Sequence, residues 1–195
     1  MSQFIVVNPN TCIGCGTCLL ACSTAHEQVG RQGNPRLSLV KTRDISATVS
    51  CHHCMGAPCV KVCPVNAIRQ CEDGCVAVDE KTCVGCKLCA IACPFGAVHM
   101  GGTPISGVAG IEYPTPTFVA STSPILQWEI GVYACAVKCD LCSFKEEGPS
   151  CVSVCPTRSI RLIDEESRER ISAEKHRRAA VLGDFVADPY VLRSR

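Results

Sequence analysis

A chain of 195 residues with a formal charge of +1 has room for one or two small domains. That balance excludes the basic profile of a nucleic-acid binder. The apolar fraction of 47% includes 19 cysteines; without them it falls to roughly 37%, with few aromatics, a thin supply for a core. No stretch can cross a bilayer: the least polar one, around 117–137, is broken by Pro124 and Glu129.

In chain order, the apolar run Phe4–Val7 predicts a short strand. No basic segment precedes it, so no secretory signal is expected and the chain is expected to be cytoplasmic. A first cysteine tetrad follows: Cys12, Cys15, Cys18 and Cys22, spaced C-x2-C-x2-C-x3-C. Gly14 and Gly16 suit the tight turns of such a loop. Ser23, not proline, follows Cys22, so a helix is expected to run on through His26. The second tetrad is Cys51, Cys54, Cys59 and Cys63, with Pro64 after it. A hairpin is expected over 71–82, turning at Asp73-Gly74, with Cys71 and Cys75 as small filler residues. The third tetrad is Cys83, Cys86, Cys89 and Cys93, followed by Pro94. Residues 100–134 form an irregular insertion rich in Gly, Pro, Ser and Thr that holds Trp128. Cys135 is expected as strand filler. The fourth tetrad is Cys139, Cys142, Cys151 and Cys155, then Pro156. A charged helix is expected over 164–183, with Glu166–Arg170 and Glu174–Arg178 pairs.

A repeat links these parts. Val6-Val7-Asn8-Pro9-Asn10-Thr11-Cys12 resembles Ala77-Val78-Asp79-Glu80-Lys81-Thr82-Cys83. The runs Cys63–Ile68, Cys93–Val98 and Cys155–Ile160 share a Cys-Pro opening and each predicts a helical turn, then a strand. The first and third tetrads have the spacing of the bacterial ferredoxin run, which the third completes with its proline. The second and fourth lengthen only the middle gap, to four and eight residues. Four tetrads imply four [4Fe–4S] clusters and electron transfer. A disulfide scaffold fits poorly, because the cysteine number is odd and the chain long. Zinc knuckles usually hold two C-x2-C pairs further apart. Each oxidised cluster with its thiolates carries about −2, which brings the loaded chain to about −7. Folding is expected to depend on the metal. His52 and His53, inside the second tetrad, are candidates for tuning a cluster or touching a partner; His26 and His99 have no constellation around them. No catalytic residue and no nucleotide fingerprint is found.

The stretches Thr11–Cys15, Pro35–Leu37, Cys51–Cys54, Ala57–Cys59, Val62–Ile68, Cys86–Cys89 and Val137–Cys142 resemble the four-cluster ferredoxin-like subunits of molybdopterin oxidoreductases and hydrogenases. The likeness is greatest to the small iron–sulfur subunits of formate hydrogenlyase complexes, over roughly 3–163. The resemblance implies an α+β fold of duplicated bacterial ferredoxin-like modules: 1–50 with 135–163, and 51–99, plus the 100–134 insertion and a 164–195 tail. It also implies crossed ligation. One cluster would take Cys12, Cys15, Cys18 and Cys155; its neighbour Cys139, Cys142, Cys151 and Cys22. A third would take Cys51, Cys54, Cys59 and Cys93, and the fourth Cys83, Cys86, Cys89 and Cys63. The implied partners are a molybdopterin formate dehydrogenase and a [NiFe] hydrogenase, in a hetero-oligomer that could sit at the inner membrane face through other subunits. The insertion or the C-terminal helix is expected to dock on one of them. Alternatives of the same chemistry are a subunit of another molybdopterin oxidoreductase, a free polyferredoxin, or an iron–sulfur protein of enzyme maturation.

Overall fold

The computed structural model describes residues 3–101 and 134–186, with side chains as far as residue 181. The insertion with Trp128 lies outside the described residues, apart from its two ends. The elements are short, because each cluster loop interrupts the chain. In order they are β1 (Phe4–Val7), α1 (Thr17–Glu27), β2 (Ser38–Lys41), β3 (Ser46–Val49), α2 (Pro58–Lys61), β4 (Ile68–Gln70), β5 (Val76–Val78) and α3 (Leu88–Ala92). Then come β6 (His99–Gly101), β7 (Cys135–Val137), α4 (Ser150–Ser153), β8 (Ile160–Ile163) and α5 (Glu165–Val186).

The strands pair as antiparallel ribbons: β1 with β8, β2 with β3, β4 with β5, and β6 with β7. Phe4 faces Ile163 and Val7 faces Ile160, so the start of the chain is stitched to the segment just after the fourth tetrad. A lone two-stranded ribbon is marginal in water. These are held by packing on two apolar clusters rich in cysteine. One gathers Ile5, Leu37, Leu141 and Ile160 with Cys18, Cys22, Cys139 and Cys151. The other gathers Ala67, Ile68, Val76 and Val98 with Cys59, Cys83, Cys89 and Cys135. The strand β7 opens the 135–163 span yet pairs with β6 at the end of the 51–99 span, and Cys51, Cys75 and Ala97 belong to the first cluster. The two halves therefore interlock.

The repeat is a repeat of backbone as well as of sequence. The residue before the second cysteine has positive φ in all four loops: Gly14, His53, Gly85 and Leu141. So does the third residue after the last cysteine in the three Cys-Pro runs: Asn66, Gly96 and Arg158. Non-glycine residues pay to sit there, and the loop geometry holds them. At Gly85 glycine is required twice over, since a Cβ would also meet the Ala134 carbonyl oxygen at 2.5 Å.

The hairpin is made by β4 and β5, so it begins before residue 71, but its turn is at Asp73-Gly74. There Cys75 N–H donates to Asp73 Oδ1 at 2.9 Å, and Gly74 takes a φ of 83°. The helix α1 does continue past Cys22, through Glu27. The helix α5 is capped by Asp164, whose Oδ1 accepts from Ser167 N–H at 2.8 Å. Glu174 pairs with Arg178 at 2.9 Å. The expected Glu166–Arg170 pair does not form; Arg168 pairs back to Glu165 instead. Among the described residues, no helix is long and apolar enough to cross a membrane.

Candidate metal centres

Each tetrad's first two cysteines lie on a loop and the third at the start of a helix; Cys63, Cys93 and Cys155 follow at the end of a short helix, whereas Cys22 sits midway along α1. The positive-φ residues fold the loop back on itself so that its sulfurs converge. One hollow, with about 300 Å³ of atom-free space, is lined by Cys12, Cys15, Cys18 and Cys155, with Ile13, Pro156 and Ile160 among its walls. Cys22 does not line it. A second hollow of about 300 Å³ is lined by Cys63, Cys83, Cys86 and Cys89, with Ile68, Met100 and Ala136 beside them. Cys93 does not line that one. The remaining thiols form two more neighbourhoods. Cys151 lies within electrostatic range of Cys22 and Cys142, and Cys139 within range of Cys151. Cys54 and Cys59 each lie within range of Cys51 and Cys93.

These environments suit an anionic sulfur cluster. Backbone N–H groups donate to several of the sulfurs: Arg36 to Cys22 at 3.3 Å, His53 to Cys51 at 3.3 Å, Ala67 to Cys63 at 3.2 Å and Leu141 to Cys139 at 3.4 Å. Such bonds stabilise the thiolate and help set a cluster's potential. Burial pushes the free thiols the other way: Cys22 up to about 11, Cys151 to about 12, Cys89 to about 11, and Cys139 well above the usual range. Buried and bare they would stay protonated; iron would bring the cationic charge that releases those protons. Cys155 differs. Burial opposes its ionisation, but the Ser159 hydroxyl at 3.2 Å, the Ile160 N–H and the Thr157 hydroxyl lower it to about 7.

Around these centres lies a buried polar network that the sequence reading missed. The sequence places no constellation around His26, yet it is 1% exposed and both its ring nitrogens face oxygens: Cys22 O at 2.7 Å and Asp140 Oδ1 at 3.0 Å. Arg31 pairs with the other oxygen of Asp140, and its guanidinium lies 4.9 Å from the Phe144 ring centre. Burial would raise the Asp140 carboxyl, but the His26 hydrogen bond and the His26, Arg36 and Arg31 charges hold it down, at about 2. Arg36 pairs with Glu80 at 2.6 Å, tying the segment after α1 to the approach to the third tetrad. The signals were present: His26 is one helical turn beyond Cys22, and Asp140 lies between two cysteines. What could not be read was that they face one another.

The two histidines of the second tetrad part company. His53 is fully buried, and its Nδ1 accepts from Val76 N–H at 2.9 Å. Burial, then the Lys138 charge, push it down to about 3, so it is neutral. His52 is exposed and stacks on Phe95, with ring centres 4.0 Å apart. Cys75 and Cys135 are buried, Cys71 is exposed, and none of the three lines either hollow.

Sulfur-lined hollows, N–H···S bonds and repeated cysteine loops define an iron–sulfur protein of the ferredoxin-like class. A family described as a 4Fe-4S dicluster domain matches residues 45–103, and a 4Fe-4S binding domain matches residues 4–29. Hydrogenase-4 component A of Escherichia coli (strain K12) is 46% identical over 188 residues, covering 92% of this chain and 91% of that protein. Formate hydrogenlyase subunit 2 of the same strain is 46% identical over 180 residues, covering 90% and 88%. Electron transport protein HydN, also from that strain, is 34% identical over 189 residues, covering 93% and 99%. The chain belongs to the family of 4Fe-4S ferredoxin-like proteins that includes hydrogenase-4 component A and formate hydrogenlyase subunit 2.

Proposed function

We propose that the chain carries four [4Fe–4S] clusters in crossed ligand sets and conducts electrons between a molybdopterin formate dehydrogenase and a [NiFe] hydrogenase in a formate hydrogenlyase-type complex. The clusters take the sets Cys12, Cys15, Cys18, Cys155; Cys139, Cys142, Cys151, Cys22; Cys51, Cys54, Cys59, Cys93; and Cys83, Cys86, Cys89, Cys63. The chief support is the pair of sulfur-lined hollows, each completed by a cysteine from another tetrad. The exposure of the thiols supports a wire with two open ends. Cys15 and Cys86 are exposed, one at each hollow, whereas Cys22, Cys139, Cys142 and Cys151, and Cys51 and Cys59, are buried. Electrons enter and leave at the open sites and cross between the buried ones. The chain supplies no catalytic group of its own; the chemistry at each end belongs to partner subunits.

Anaerobically purified protein should contain about 16 iron atoms and as much sulfide, four of each per cluster. Native co-purification should recover a molybdopterin enzyme and a hydrogenase. Stoichiometric zinc with little iron would remove the cluster reading. Full iron with no such partners would leave the wire but not the complex, and would favour a free polyferredoxin.

A further inference from the structure

Lys138 is 2% exposed. A buried ammonium is costly unless paired, yet among the described residues it makes no ion pair with a carboxylate. The nearest carboxylate in sequence, Asp140, is engaged by His26 and Arg31. Lys138 Nζ instead donates to two carbonyl oxygens, those of Val76 and of Cys139, the latter at 2.8 Å. Val76 in turn donates its N–H to His53 Nδ1, and the backbone N–H of His53 donates to Cys51 Sγ. The ammonium thus stands in a hydrogen-bonded chain from Cys139, in one buried thiol neighbourhood, to Cys51, in the other. Its charge also reaches Cys54 and Cys59. Dipoles of two carbonyls do not neutralise a full charge in a dry interior. The missing anionic charge is on both sides of it if each thiol set holds a cluster of about −2.

We propose that Lys138 is the positioning charge of the crossing between the two modules: it raises the reduction potentials of the two clusters that flank it. This rests on the four-cluster reading above. The reasoning is electrostatic. Reduction adds one negative charge to a cluster, and a fixed cation nearby favours the reduced form. The ammonium therefore keeps the two buried clusters from becoming a barrier between the open ends.

The test uses the full chain, purified anaerobically, with Lys138→Met and Lys138→Gln as neutral variants and Lys138→Arg keeping the charge. Iron is counted, and the midpoint potentials are measured by EPR-monitored redox titration. Both neutral variants should keep their iron, and two of the four potentials should fall. Each fall should reach about tenfold in the one-electron equilibrium constant, which is about 59 mV. Lys138→Arg should stay near wild type. If the neutral variants shed clusters while Lys138→Arg keeps them, the charge serves cluster retention, not potential, and the proposal is overturned. Full iron with unmoved potentials overturns it, and so does equal loss of iron in all three variants, which would mark Lys138 as a packing residue. A wild-type chain without four clusters overturns the underlying reading as well, and so separates the two failures.

Discussion

The first and third cysteine loops have one spacing and one pattern of positive φ, yet they launch different helices. From Gly16 the helix α1 runs for 11 residues; from Lys87 the helix α3 runs for 5. The difference lies one position after the last cysteine. Pro94 lacks the N–H a helix needs and biases Cys93 towards extended backbone, where its ψ is 114°. Ser23 imposes neither constraint. The extra turn in α1 carries His26 to Asp140 and brings Arg31 and Arg36 to their partners. The residue after the last cysteine thus separates a short, proline-ended cluster helix from one long enough to reach across to Asp140.

The comparison can be broken most severely at the helix-borne cysteines. Cys22→Ala should remove or degrade the cluster of Cys139, Cys142 and Cys151, lowering iron by one to about four atoms per chain. Cys71→Ala should leave iron unchanged, because that exposed thiol lines neither hollow. Iron loss in Cys71→Ala would show the ligand sets to be misassigned.

Forcing α1 to end as α3 does comes next. Ser23→Pro deletes a helical hydrogen bond and should cost about 3 kcal/mol or more. Thermal unfolding should drop well below that of a Ser23→Ala control. If the melting curves coincide, the length of α1 is not what holds His26 against Asp140.

A smaller contrast compares one position in two loops. Asp140 and His52 each follow the first cysteine of a tetrad, but Asp140 is buried and His52 is exposed. Asp140→Asn keeps the shape and loses the charge that His26 and Arg31 share; it should cost about 1–3 kcal/mol. His52→Ala loses the stacks on Phe95 and Phe4 at an exposed site and should cost about 1 kcal/mol or less. Equal losses in chemical denaturation would deny the network its special part in the fold.

The mildest perturbation is removal of residues 166–195. Every tetrad lies before it, so iron content should not change. The helix α5 presents Ile171 and Val181 to solvent, 43% and 67% exposed, and is proposed to dock on a partner. Native gels should show weaker assembly of the truncated chain. Full assembly would make α5 a solvated tail and leave the 100–134 insertion as the candidate.

Much of this molecule was legible in its sequence because cluster loops are local. Spacing of cysteines, the proline after the third tetrad and Asp73-Gly74 act within a few residues, so the loops, the length of α1 and the turn of the hairpin could be read directly. The β2–β3 ribbon went unread: its turn rests on Thr42, whose hydroxyl accepts from Ile45 N–H at 3.1 Å, without the Asn-Gly or Asp-Gly signal of a tight hairpin. The Glu166–Arg170 pair was a local rule that an equally local competitor, Glu165–Arg168, displaced. Only the tertiary structure could decide which cysteine completes which hollow, that His26 meets Asp140 from 114 residues away, and that Lys138 lies between two thiol neighbourhoods. Those contacts join residues far apart in the chain, and a sequence pattern reports the partners a residue can accept, whereas folding selects the ones it meets.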